Sequence, residues 1–168
     1  MPRNLQQFST LHQHAKATRA RVGLPGAAEA FPFVLLPLVV GLREDEVEAT
    51  ITDNHFQKIR GKPIGHDRGT DAIHIETDGS ESTIHIFNLK YKSEFEKTER
   101  FFPSGEIDKV VGFVRAVLQK DAALLGDTNQ ALTDKVREIW FEIENRRTSL
   151  VLHFASNFTE GFAPRRGS

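Results

Sequence analysis

The chain contains no cysteine. That excludes a disulfide framework, a thiolate zinc centre and a cysteine nucleophile, and it fits a reducing compartment. Charge of one sign is not in excess either. With 22 Lys and Arg against 23 Asp and Glu, the formal net charge is −1, so any nucleic-acid contact must come from a local basic patch. Long apolar runs are also missing. The most apolar stretch, FPFVLLPLVVG at 31–41, is broken by Pro32 and Pro37 and falls short of the ~20 residues that span a bilayer. The N-terminal MPRNLQQFSTLHQHAK has no apolar signal-peptide region, so a cytoplasmic protein without a membrane segment is expected. There is no internal repeat and no low-complexity segment. What remains is 168 residues, 39% hydrophobic and 27% charged, enough for one globular domain with a sizeable core.

Periodicity gives the elements. Leu5, Phe8, Leu11 and Ala15 make a narrow helical stripe over 4–21, which GLPG at 23–26 breaks. A second helix is predicted from Ala27 to near Gly41, with a kink or break at Pro37. An acidic start predicts a short third helix over 43–51. Residues 52–71 read as a polar loop with one short strand at 56–59. DAIHIE (71–76) and STIHIFNLKYK (82–92) are β-branched strands joined through Asp78-Gly79, a strong hairpin signal. After a Ser104 N-cap, Ile107, Val110, Val111, Val114, Val117 and Leu118 predict an amphipathic helix. A further helix over 128–146 puts Leu132, Val136, Ile139, Trp140 and Ile143 on one face, with Trp140 in the core. SLVLHFASN at 149–157 reads as a buried strand.

A strand reached through long helical crossovers is expected to run parallel to its neighbour, with a right-handed connection. The expected class is therefore α/β, a mixed sheet flanked by helices. The expected organisation is an N-terminal helical segment (1–26), an α/β domain (27–157) and an irregular tail (158–168).

The hairpin carries the candidate chemistry. Alternate strand residues share a face, so Ile84, Ile86, Asn88, Lys90 and Lys92 point one way and His85, Phe87, Leu89 and Tyr91 the other. The start of the first strand lies beside the end of the second, which brings Asp71 close to Asn88 and Lys90. An acid, an amide oxygen and a lysine at one sheet end suit a Mg²⁺-dependent phosphodiesterase. Asp71 and Asn88 would offer hard oxygen ligands, and Lys90 would orient a water or stabilise the phosphate charge. The plainer reading of Asp71 is a residue at the strand start that satisfies loop amides, and of Lys90 a solvated strand end. Lys58, Arg60, Lys62, Arg68 and Lys92 are candidates for phosphate-backbone contact, or ordinary solvated charge. His55 and His66 flank the loop without HExxH-type spacing.

The ordered pieces EDEVEATITDNH, HDRGTDAIHI and IHIFNLKYK resemble the PD-(D/E)xK nuclease superfamily, most closely its Mrr-like branch and the N-terminal region of abortive-infection AIPR proteins. The resemblance covers most of 31–157. It implies a restriction-endonuclease-like αβββαβ core and a Mg²⁺- or Mn²⁺-dependent endonuclease acting on DNA or RNA in bacterial antiphage defence or restriction. It also implies one domain of a longer protein, with pairing into a homodimer as one arrangement. Residue by residue, Asp71 matches the metal-binding aspartate and Lys90 the motif lysine. Glu48 matches a carboxylate from the preceding helix, with Glu44 one turn earlier. Asp53 matches an acidic loop position that binds metal or organises the loop, and Asp67 is a similar case. Asn88 stands where the family has Glu or Gln, one methylene shorter than Gln. A module that has lost cleavage but still binds nucleic acid or a protein partner is the alternative.

Overall fold

The structure is a computed structural model that describes residues 3–164. It contains helices α1 (Arg3–Val22), α2 (Ala27–Val40), α3 (Glu44–Val47) and α4 (Asn54–Ile59), strands β1 (Ala72–Asp78) and β2 (Glu81–Lys90), helices α5 (Ser104–Leu118), α6 (Leu124–Asp127) and α7 (Gln130–Asn145), and strand β3 (Arg147–Ser156). The expected α/β class is what the structure shows: a three-stranded mixed sheet, ordered β1-β2-β3, flanked by helices. β1 and β2 form the expected antiparallel hairpin, with Ile73 opposite Ile86, His74 opposite His85 and Asp78 opposite Glu81. Gly79, at φ 59°, takes the left-handed turn position that glycine permits. β3 runs parallel to β2: Arg147 N donates to Ser80 O at one end (2.9 Å) and Asn157 N to Lys90 O at the other (3.3 Å).

Three local expectations are corrected. Residues 56–59 are not a strand but part of α4, because Asp53 caps that helix: its carboxylate accepts from Phe56 N at 2.8 Å. The sheet thus has one strand fewer than an αβββαβ order, and a single bridge between Ile51 and Ala72 stands beside β1 instead. α2 runs through Pro37 without a break, ending on Gly41 at φ 70°. On α5 the buried stripe is Val110, Phe113 and Val117, while Val111 and Leu118 are exposed. No single described helix is long and apolar enough to cross a membrane.

The chain divides into two compact units, each discontinuous in sequence. One comprises residues up to Ala49, Leu89–Ser104 and the stretch from Ala155. In it α1 packs on α2 around Ala15, Ala27 and Val34, with Leu11 and Tyr91 against them. Tyr91 Oη lies 2.5 Å from His12 Nδ1, and burial pushes the Tyr91 phenol up to about 12.

The other unit comprises Thr50–Asn88 and Gly105–Phe154. Ile73, Ile84 and Ile86 on one sheet face meet Val110, Phe113 and Val117 of α5 and Leu132, Val136 and Ile139 of α7. Leu150, Leu152 and Phe154 extend this face on β3, and Trp140 packs on the cluster with its Nε1–H donated to Val117 O at 2.9 Å. Strand alternation on one side and the i, i+3, i+7 spacing of α5 on the other leave one apolar layer buried between sheet and helices.

Candidate functional site

Asn88 ends the apolar row that Ile84 and Ile86 begin. It is 1% exposed. Its Nδ2 donates to Gly69 O at 2.6 Å and to Glu106 Oε2 at 3.1 Å. Both partners are acceptors, which fixes the orientation of the amide. The other amide atom, Oδ1, is buried and receives no hydrogen bond.

Asp71 sits one residue before β1. Its N–H donates to Phe87 O at 2.8 Å, and its carbonyl accepts from Thr52 N and Asp53 N at 2.9 and 3.1 Å. The regular register begins with Ala72 opposite Phe87, and the Asp71 N–H reaches that same Phe87 carbonyl, so Asp71 lies just before the ladder, beside the Phe87 position of β2.

The loop before Asp71 is tightly built. Asp67 accepts from Gly69 N and Asn54 N through its two carboxylate oxygens, each at 3.1 Å, and Thr70 N and Oγ1 both donate to Asp67 O at 2.9 and 2.7 Å. This holds Arg68 at φ 55°, a left-handed backbone that costs a non-glycine residue about 1–2 kcal/mol. Gly69, at φ 74°, passes so close to α5 that a Cβ there would lie 2.9 Å from Lys109 Cβ. His66, Asp67, Arg68, Gly69, Lys109 and Asp127 line a cleft of about 400 Å³. Arg68 is turned back onto Asp127, and that guanidinium holds the Asp127 carboxyl below the usual range. Lys109 Nζ bonds Glu106 Oε1 at 3.1 Å.

The remaining predicted residues are distributed otherwise. Asp53 caps α4 with its carboxylate. Lys58 and Lys62 are exposed, and the Arg60 guanidinium lies over the Phe56 ring, 5.3 Å from its centroid. Glu48, Lys90 and Lys92 belong to the other compact unit: Glu48 lies in a 3₁₀ turn, Lys90 closes β2, and the Lys92 backbone N–H donates to Asn157 Oδ1 at 2.9 Å. Among the described residues, no three His, Cys, Asp or Glu side chains form a group able to hold a metal ion. Mg²⁺ does not require such a cage, since it keeps several waters and takes one or two carboxylates.

Two features escape the sequence reading. One is Glu106, whose approach to Asn88 depends on how α5 crosses the strand end. The other lies on the opposite sheet face, where each strand contributes a histidine. His85 Nδ1 is 2.9 Å from His153 Nε2, His85 Nε2 is 3.3 Å from Glu76 Oε2, and His74 Nε2 is 3.7 Å from Glu76 Oε1. The His153 ring also stacks on Phe87, with centroids 4.4 Å apart. Burial first, and the neighbouring His85 second, hold the His153 imidazolium pKa below its ordinary value. A signal for half of this row was present: a tight turn after Asp78 pairs residue 74 with residue 85. His153 has no such signal, because parallel register across a helical crossover is not written in the local sequence. Compared with known proteins, the chain matches no family model, no curated protein and no solved structure.

Proposed function

We propose that this chain is a metal-dependent nuclease of the PD-(D/E)xK kind, hydrolysing phosphodiesters of DNA or RNA with Mg²⁺ or Mn²⁺. The observation that carries the reading is the buried, unpartnered Oδ1 of Asn88, one residue along β2 from the Phe87 carbonyl to which the Asp71 N–H donates. A buried carbonyl oxygen without a donor costs about 1–3 kcal/mol, and a hard cation is the kind of partner that satisfies it. Asp71 would supply the anionic ligand and Asn88 Oδ1 the neutral one. With a divalent ion bound, these two residues would place it where it could polarise a phosphate and lower the pKa of a water.

The chain's own groups have separable tasks. Hydrogen bonds at both the N–H and the carbonyl of Asp71 fix the backbone from which its carboxylate would be presented. Arg68, Lys109 and His66 border the adjoining cleft and suit contact with phosphate oxygens. Lys90, two residues beyond Asn88 on the same strand, would stabilise phosphate charge. The same reading sets the chain in the bacterial cytoplasm, in antiphage defence or restriction.

A second reading has its own observation. The Asn88 NH₂ is already committed to Gly69 and Glu106, as in a site retired from catalysis, which would leave a module that binds nucleic acid or a protein without cutting. Cleavage assays on DNA and RNA with Mg²⁺ or Mn²⁺ separate the two. Under the nuclease reading, Asp71→Ala and Lys90→Ala lose cleavage by a hundredfold or more, on the order of removing an electrostatic stabiliser, and Asn88→Glu raises it. Wild-type protein that binds nucleic acid but never cuts it sinks the nuclease reading and leaves the binding module.

A further inference from the structure

The compact unit that contains α1 and α2 holds a cavity that the candidate site does not use. Its volume is about 260 Å³, and its lining lies wholly within that unit. α1 supplies Asn4, Gln7 and Phe8, and the segment that closes and follows β3 supplies Asn157, Phe158 and Thr159. Asn4, Gln7 and Phe8 share one helix face through their i, i+3, i+4 spacing. None of the lining side chains is charged, so the cavity suits neither a phosphate nor a metal ion. Pockets for drug-sized ligands run upward from ~300 Å³; this one has the size for a single flat ring system.

The polar groups are built for a neutral ligand. Asn157 is bracketed by one residue: Lys92 N–H donates to its Oδ1 at 2.9 Å, and its Nδ2 donates to Lys92 O at 2.8 Å. Those two bonds fix the orientation of the amide and leave one Nδ2 hydrogen and one Oδ1 lone pair for a ligand. Thr159 donates from N and from Oγ1 to Thr98 O, at 2.9 and 3.3 Å, so its hydroxyl oxygen keeps its acceptor capacity. The rings are braced as well. Phe8 stacks on His12 with centroids 5.3 Å apart, and His12 stacks on Tyr91 at 6.1 Å. The Arg100 guanidinium lies 5.8 Å from the centroid of Phe158. Amides and a hydroxyl, together with two aromatic rings, match a ligand with a mixed donor–acceptor edge and a π face, which describes a nucleobase.

We propose that this cavity binds one unpaired nucleobase of a single-stranded nucleic acid: Asn4, Gln7 and the bracketed Asn157 amide read its hydrogen-bonding edge, and Phe8 and Phe158 contact its ring. A base enters such a cavity only when it is out of the stack, so the substrate class is single-stranded DNA or RNA. Arg100, beside the Phe158 wall, supplies a cation for the adjoining phosphate. The inference rests on the nucleic-acid part of the proposed function, which the nuclease and the binding module share.

The test reads binding by isothermal titration calorimetry on the full chain, in EDTA so that no strand is cut. The probes are single-stranded DNA and RNA hexanucleotides, the DNA duplex of the same sequence, and nucleoside monophosphates. Wild type binds a single strand more tightly than the duplex or a monophosphate. The double substitution Asn4→Ala, Gln7→Ala falls at exposed helix positions where alanine is favoured, so it keeps the wild-type circular dichroism and thermal midpoint. It weakens single-strand binding by roughly tenfold, as two lost hydrogen bonds do. Phe158→Leu keeps an apolar side chain and weakens binding by roughly tenfold through lost base stacking. Gln13→Ala, exposed on the same helix and outside the cavity, binds as wild type. Unchanged affinity in the double variant or in Phe158→Leu, or no preference for single strand over duplex, overturns the assignment. Equal affinity for a monophosphate and a hexanucleotide makes the ligand a free nucleotide and overturns the single-strand substrate. The two readings fail separately: single-strand binding through the cavity with no cleavage in Mg²⁺ or Mn²⁺ removes the nuclease and keeps the pocket. Cleavage together with unchanged affinity in the double variant does the reverse.

Discussion

The two faces of the sheet are built from the same three strands and do opposite things. The face toward α5 and α7 carries Ile73, Ile84 and Ile86, each at 0% exposure, and ends in Asn88. The other carries His74, His85 and His153 with Glu76 at its edge, half-buried and joined ring to ring. Period-two alternation makes both faces from one sequence. The difference lies in what holds each together. The first face depends on close packing, where volume decides. The second depends on hydrogen bonds between imidazoles, where protonation decides: the His85–His153 bond needs one nitrogen to donate and the other to accept, and two charged rings would present only donors.

Removing packed volume gives the largest expected effect. Ile86→Ala should destabilise by about 2–5 kcal/mol in urea unfolding, and Phe113→Ala, across the same layer, by about 3–5. His85→Ala on the opposite face should cost clearly less, and equal losses on the two faces would break the comparison. An intermediate effect is expected at the point where the packed face turns polar. Asn88→Ala leaves Gly69 O without its donor but also removes the unpartnered oxygen, so a loss of about 1–3 kcal/mol is expected, smaller than that of Ile86→Ala.

The smallest effect is a pH dependence. His153 has a folded pKa below its ordinary value, so the unfolded chain takes up the proton first as pH falls. Its contribution to stability is present above about pH 6.5, the unfolded value, and is lost as pH drops toward and through the folded pKa. The groups facing it in the row are His85 and, beyond that ring, Glu76 and His74. His12, in the other unit, is also lowered by burial and by Lys16 and acts in the same direction. Urea midpoints at pH 7.5 and 5.5 should therefore fall for wild type and fall less for His153→Gln, with His12 supplying the remainder. A slope unchanged by His153→Gln would show that the row does not titrate with folding.

Much of the fold is legible because its signals are local. The Asp78-Gly79 turn fixes which residues of β1 and β2 face each other, from Asp78 and Glu81 at the turn to Ala72 and Phe87 at the far end. The stripe Leu132, Val136 and Ile139 sets the buried side of α7, and all three are fully buried. Failures occur where one local signal outweighs another or where a second layer chooses among apolar positions. At 54–59 the Asp53 cap makes helix of residues that also read as strand. On α5 both Val111 and Phe113 are apolar, and packing against Ile84 and Ile86 selects Phe113, leaving Val111 exposed.

By itself the sequence determined the α/β order, the hairpin register and the two faces of its strands, because turns, caps and the periods of strand and helix act within a few residues. The tertiary structure alone decided that α5 lays Glu106 on Asn88 and that β3 slides His153 against His85. Those contacts join residues 18 and 68 positions apart, and they follow from how layers dock and crossovers close rather than from any local preference of the chain.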